Sequence, residues 1–153
     1  MANTYTQMYV QVVFAVQNRV SLIQPTWKDE LYKYITGIVQ NNKHKLIAIN
    51  GMPNHIHVFI GYKPHQLLPD LMQDIKGSSS RWINKNSFSQ GLFRWQESYG
   101  AFSYSYSHID RVVKYIINQE QHHKKKTFRE EYIEFLTKFN IDFDERYILK
   151  DIK

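Results

Sequence analysis

The sequence predicts an α+β fold: one antiparallel sheet with helices packed on one face, in the order βαββαβ, followed by further C-terminal helices. Three observations predict it. Four stretches (Thr4–Val16, Lys45–Asn50, His55–Gly61, Tyr99–Tyr106) carry the β-branched, aromatic or alternating residues of strands. Apolar residues recur at helical spacing between and after them. The turn Gly51-Met52-Pro53-Asn54 is short enough to join two of the strands as a hairpin.

Thr4–Val16 is rich in Val, Tyr, Thr and Phe, and a loop from Asn18 to Pro25 follows it. Thr26, with Asp29 three residues on, reads as a variant capping box. Trp27, Leu31, Tyr34, Ile35, Ile38 and Val39 then form one buried helical stripe that ends near Asn41-Asn42. Lys45–Asn50 pairs with the strand beginning at His55. Pro64 and Pro69 bracket the start of a second helix, with Leu67, Leu68, Leu71, Met72, Ile75, Trp82 and Ile83 on its apolar side. Asn84–Gln90 is polar and loop-like, and Leu92–Gln96 is a short extended piece. On the last strand Phe102, Tyr104 and Tyr106 share a face. Ser107 caps the next helix, with Asp110 at its third position. Thr127 and Glu130 form a capping box for a final helix whose stripe is Phe128, Tyr132, Phe135, Leu136 and Phe139. Asp142–Lys153 adds a short strand or covers a surface. This order corresponds to a ferredoxin-like plan, with the first strand and the His55 strand at the centre of the sheet. No repeat or linker divides the chain, so residues 1–153 are expected to form one domain.

The absence of cysteine excludes disulfides, thiolate zinc sites and cysteine nucleophiles. No stretch is apolar and long enough to span a bilayer, and the first residues do not read as a signal peptide, so the expected compartment is the cytoplasm. The formal charge of +6 favours a polyanionic partner. The 15% aromatic content points to stacking on unpaired bases rather than to duplex.

Two elements carry chemistry. On the third strand His55 and His57 point the same way, while Ile56, Val58 and Ile60 face a core. Two imidazoles on a rigid strand are half a metal site. On the helix after Ser107, the residues Ile109, Val112, Val113, Ile116 and Ile117 form the apolar face. Arg111, Tyr115, Asn118, Gln119 and His122 form a polar one. A tyrosine placed for packing would sit among the apolar residues; Tyr115 sits mid-stripe, with Gln119 one turn further on. A divalent ion can polarise a phosphoryl oxygen, and a phenol beside it can form a covalent ester. Gln119 is placed to offer a neutral oxygen as third ligand. Lys76 and Arg81, flanking Gly77-Ser78-Ser79-Ser80, suit backbone phosphates, as do Arg111 and the run Lys124, Lys125 and Lys126.

Pro53-Asn54-His55-Ile56-His57 resembles the His-hydrophobic-His motif of the HUH nucleases. Tyr115-Ile116-Ile117-Asn118-Gln119 followed by His122-His123 resembles the tyrosine helix of single-tyrosine transposases of the IS two-hundred type. Trp95-Gln96, Tyr99-Gly100-Ala101-Phe102 and Phe128-Arg129-Glu130-Glu131-Tyr132 are similar to further blocks of that family, so the likeness runs nearly the length of the chain. The resemblance implies that His55, His57 and Gln119 hold Mg2+ or Mn2+. It implies that Tyr115 attacks the scissile phosphate and keeps the 5′ end as a phosphotyrosine. The substrate implied is single-stranded DNA beside hairpins at insertion-sequence ends. The implied assembly is a homodimer, in which Tyr115 serves its own or its partner's site.

Three other readings remain at this point, one of them a degenerate transposase recruited for DNA binding. A non-catalytic single-strand binder would use the aromatic strand Tyr99–Tyr106 as an RNA-recognition module does. A zinc hydrolase would combine His55 and His57 with one of His65, His108, His122 or His123.

Overall fold

The computed structural model describes residues 4–146 and Ile148. Its elements run β1 (Tyr9–Ala15), α1 (Lys28–Asn41), β2 (Lys45–Met52), β3 (His55–Gly61), α2 (Leu68–Lys85), β4 (Gly100–Tyr104), α3 (Ile109–Ile117), α4 (Gln119–His122) and α5 (Phe128–Lys138). The sheet order is β2-β3-β1-β4 and every neighbouring pair is antiparallel. The expected α+β plan is therefore present, with β1 and β3 central. Among the described residues no helix is long and apolar enough to cross a membrane.

Alternation along the strands divides the molecule into two layers. Val12, Phe14, Val16, Ile56, Val58 and Ile60 join Leu31, Ile35, Val39, Leu71 and Ile75 in one aliphatic and aromatic core beneath α1 and α2. The residues between them point the other way, where two smaller clusters lie. One gathers Val13, Ala15 and Phe102 with Phe128, Tyr132 and Phe135 of α5. The other gathers Ala48 and Phe59 with Val112 and Ile116 of α3. The C-terminal helices thus cover the sheet face that α1 and α2 leave open.

Several boundaries differ from the sequence expectation, each for a visible reason. β1 starts at Tyr9, not Thr4, because its ladder partners end at Gly61 and Tyr104. α1 has no capping box: Trp27 is buried and stacked on Phe88, and the amides of Trp27 and Lys28 bond instead to the Gln24 carbonyl. Ser107 does not cap α3, which grows from a 3-10 turn over Tyr106–His108. α2 runs on to Lys85, shortening the expected loop. Residues 142–146 form no strand, and the rest of that expectation, apart from Ile148, lies outside the described residues. The capping box at Thr127 and Glu130 is present in full.

Candidate active site

The site lies on the sheet face beneath α3, α4 and α5. β3 supplies His55 and His57, both fully buried. The hairpin before them is tight: Gly51 pairs with Ile56, and a Cβ at Gly51 would collide with the His55 carbonyl oxygen, so only glycine fits. Both imidazoles are oriented through Nδ1. His55 Nδ1 lies 2.7 Å from Asn54 Oδ1, and His57 Nδ1 lies 2.7 Å from Gln11 Oε1. With Nδ1–H donated to these oxygens, Nε2 of each ring presents a lone pair to the interior.

The helical layer closes over those lone pairs. α3 stops after Ile117 because Asn50 on β2 donates to the carbonyls of both Ile116 and Ile117, at 2.9 and 3.0 Å. The expected continuous turn from Tyr115 to Gln119 is therefore broken at Asn118. The break leaves Gln119 fully buried, with Oε1 3.1 Å from His55 Nε2. α5 brings Glu131, whose Oε1 lies 3.3 Å from His55 Nε2, 3.1 Å from His57 Nε2 and 3.2 Å from His123 Nε2. His123 Nδ1 is held by the Lys126 carbonyl at 2.9 Å. The other Glu131 oxygen accepts a hydrogen bond from the Tyr115 hydroxyl.

Electrostatics follow from this crowding. Burial holds the His55 imidazole neutral, pushing its pKa down to about 4. Burial alone would raise the Glu131 carboxyl, but the side chains of His123, His55 and His57 crowded against it outweigh burial and hold the group well below the usual carboxylate range. Burial first, and the Glu131 charge second, push the Tyr115 phenol above its ordinary value. His123 is raised: burial opposes its charge, and the Glu131 carboxylate more than offsets that.

The donor set fits a divalent cation. One ligand atom each from His55, His57 and Glu131 lies within 4.8 Å of the others, all three residues buried. The Gln119 oxygen adjoins them. Lone pairs of imidazoles locked at Nδ1 and two side-chain oxygens converge on one point with few protons to share, an arrangement that a cation relieves. A buried carboxylate without such a partner costs several kcal/mol.

The structure thus brings His55, His57, Tyr115 and Gln119 together within one chain. Tyr115 stands beside this cradle, its ring 6.0 Å from that of His57 and stacked on His122 at 4.2 Å. Arg111 lies on the Tyr115 side of α3 and lines a cavity there. Lys124, Lys125 and Lys126 are exposed beside His123; Lys125 and Lys126 line a second cavity that Tyr115 also borders, and Lys126 is paired with Glu134 at 2.6 Å. Lys76 and Arg81 are elsewhere. Lys76 Nζ donates to the carbonyls of Gln96, Glu97 and Ser98 and so ties down the segment leading into β4. Arg81 is exposed on α2, its guanidinium 3.2 Å from Ser78 Oγ.

Three members of the site were not singled out from sequence. Glu131 had a signal: it falls three residues after Phe128 and four before Phe135, inside an apolar stripe, where a carboxylate needs a reason. Gln11 had a similar one, as a polar residue amid Val10, Val12 and Val13. His123 figures in the sequence reading as part of the tyrosine-helix block and as one candidate zinc ligand, not as a member of this cradle. Of the four histidines weighed as zinc ligands it is the one that reaches the cradle; His65 stacks on His44 and His108 bonds Ser105. On the aromatic strand Phe102 is no open stacking platform, since it is buried against Phe135 and Phe139.

Comparison with known proteins agrees with this geometry. The family described as "Transposase IS200 like" matches residues 4–119. The ISDra2 transposase TnpA of Deinococcus radiodurans is 25% identical over 124 residues, covering 78% of this chain and 87% of that protein. A crystal structure of a D. radiodurans R1 protein assigned as a transposase superposes with a TM-score of 0.61 at 22% identity, over 78% of this chain and 95% of that one. A REP-associated tyrosine transposase bound to a REP hairpin superposes with a TM-score of 0.61 at 14% identity, over 100% of this chain and 92% of that one. At these identities the two structures speak to the fold alone. The family match, which spans β1 through Gln119 and so includes both histidines and Tyr115, carries the assignment: this chain belongs to the IS200-like transposase family.

Proposed function

We propose that the chain cuts and rejoins single-stranded DNA at hairpin-bearing insertion-sequence ends through a covalent 5′-phosphotyrosine on Tyr115. The observation that carries this reading is the hydrogen bond from the Tyr115 hydroxyl to Glu131, the same carboxylate that faces the Nε2 atoms of His55 and His57. His55, His57, Gln119 and Glu131 would hold the ion, Mg2+ or Mn2+. When bound, it supplies Lewis-acid polarisation of a phosphoryl oxygen.

The protein's own residues do the rest. Gln11 and Asn54 fix the two imidazoles in the tautomer that presents Nε2. Glu131 aims the phenol through the hydrogen bond it accepts, and the phenolic proton leaves to solvent as the ester forms. The Tyr115 oxygen attacks phosphorus, the P–O3′ bond breaks, and the leaving 3′ oxygen acquires a proton. Atoms and charge balance without a nucleotide cofactor, and the ester conserves the bond for rejoining. Tyr115 serves the cradle of its own chain in this reading, and a homodimer brings two such centres to the two ends of an element.

The test uses single-stranded DNA from the flanks of the coding sequence, with Mn2+. The wild type should yield a covalent protein–DNA adduct stable to denaturation, abolished by EDTA. Tyr115→Phe keeps the ring packed on His122 and His57 but should lose adduct formation by about 10³-fold or more. Adduct at an undiminished rate in that variant would remove Tyr115 as the nucleophile.

A further inference from the structure

Tyr115 also borders a cavity beside the cradle, which shares Glu131 and Gln11 with it. It has a volume of about 450 Å3, within the roughly 300–1,000 Å3 range of small-molecule sites. It is the groove between α3 and α5. His108, Arg111 and Tyr115 recur at helical spacing along α3 and the turn before it, and Glu131, Phe135 and Lys138 do so along α5. Its floor is the sheet, through Gln11 of β1 and Tyr104 of β4.

We infer that this groove is a subsite for one nucleotide: the one that stays joined to Tyr115 through its 5′ phosphate. The inference rests on the reading above and adds to it where the retained strand lies. In an in-line displacement the leaving 3′ oxygen departs opposite the attacking phenol, so the upstream strand points away from Tyr115. The 5′ oxygen of the retained nucleotide sits equatorially, beside the phenol, where the groove opens.

The lining suits that occupant. Arg111 from α3 and Lys138 from α5 are both exposed cations at the groove. Of the two carboxylates there, Glu131 belongs to the cation cradle, and Glu134 is paired with Lys126. Tyr104, half-buried at the groove, supplies an aromatic wall for a base. The Tyr104 hydroxyl accepts a hydrogen bond from Gln11 Nε2 at 3.0 Å, and Gln11 Oε1 holds His57 at 2.7 Å. A base resting on Tyr104 is thereby set in register with the cradle.

The probe is a pool of all 5′-phosphorylated deoxydinucleotides, titrated against the full-length protein with Mn2+. Arg111→Ala and Lys138→Ala should each weaken binding about tenfold and lower the salt dependence by about 0.7 in log–log slope. Arg81→Ala, on the far layer, should leave it unchanged. The same dinucleotides with a 5′ hydroxyl should bind more weakly and lose sensitivity to both substitutions. No binding by the pool, wild-type binding by both variants, or an equal loss in Arg81→Ala overturns the subsite. The two readings fail separately. Binding that depends on Arg111 and Lys138, with no Tyr115 adduct on any DNA, leaves the subsite standing and removes the strand-transfer chemistry. Adduct formation at wild-type rate in the double variant does the reverse.

Discussion

Ile56, Val58 and Ile60 alternate with His55, His57 and Phe59 on one strand, and the two sets meet opposite environments. The isoleucine side lies in a continuous core with Phe14, Leu31 and Ile75, where the contacts are almost all apolar. The histidine side is covered by two small clusters, and the polar groups that need exact partners lie in the seam between them. Gln11, Gln119 and Glu131 are as buried there as the core valines. One layer therefore supplies stability by area, and the other holds a charge constellation whose cost the first layer offsets.

The sharpest way to break this contrast is to truncate each side and compare what fails. Phe14→Ala removes a fully buried ring packed edge-on to Trp95 at 4.7 Å. It should cost about 3–5 kcal/mol of unfolding free energy by denaturant titration. Metal affinity in the fraction still folded should be unchanged. A loss under 1 kcal/mol would mean that the core beneath α1 and α2 is not the stabilising layer.

Acid should act on the other side. His55 has a folded pKa of about 4 against an ordinary 6.5. Between those values the unfolded chain takes up a proton that the folded one does not. The stabilisation is complete above pH 6.5 and is lost as pH falls towards 4, by roughly 3 kcal/mol. Glu131, depressed below its ordinary value, adds to the loss in the same direction below about pH 4.5. Urea unfolding in EDTA at pH 7, 5.5 and 4 measures this, and a flat profile would contradict a neutral, buried His55.

The same contrast explains what could be read from residues alone. Both the aliphatic stripe of α1 and the alternation of β3 are periodic signals, and a period is enough to place an apolar layer. The histidine pair, Tyr115 and Gln119 were legible because their residue types sit at spacings packing does not require. Gln119 reaches the cradle by a route the sequence does not display: Asn50, nearly 70 positions upstream, ends α3 by capturing its last carbonyls. Glu131 was harder still. It lies beyond the family match, and its role depends on α5 folding back over β3, a tertiary fact with no local period. Lys76 shows the converse: a cation beside small residues suits phosphate, but here its charge meets three loop carbonyls.

Gln11 offers a finer cut through the polar seam. Gln11→Leu keeps the volume and removes the oxygen that orients His57 Nδ1. Substitution of such supporting partners typically costs 10–100-fold in metal affinity. Mn2+ titration should show that loss, with unfolding free energy in EDTA changed by less than the Phe14→Ala value. Unaltered Mn2+ affinity would show that His57 needs no such support.

The smallest effect tests how the seam is held shut. α5 begins at a capping box in which Glu130 N–H donates to Thr127 Oγ1 at 3.2 Å and Thr127 N–H to Glu130 Oε1 at 3.1 Å. Glu131 is the next residue, so the first turn that the cap stabilises is the turn that carries the cradle's carboxylate. Thr127→Ala should cost about 1 kcal/mol of stability. Thr127→Ser, which keeps the acceptor, should restore most of it. If α5 docked chiefly through Phe128, Tyr132 and Phe135, the cap would be dispensable to the site, and Mn2+ affinity would not move. A joint fall in stability and affinity, both recovered by Ser, would place the order of α5's first turn upstream of metal binding.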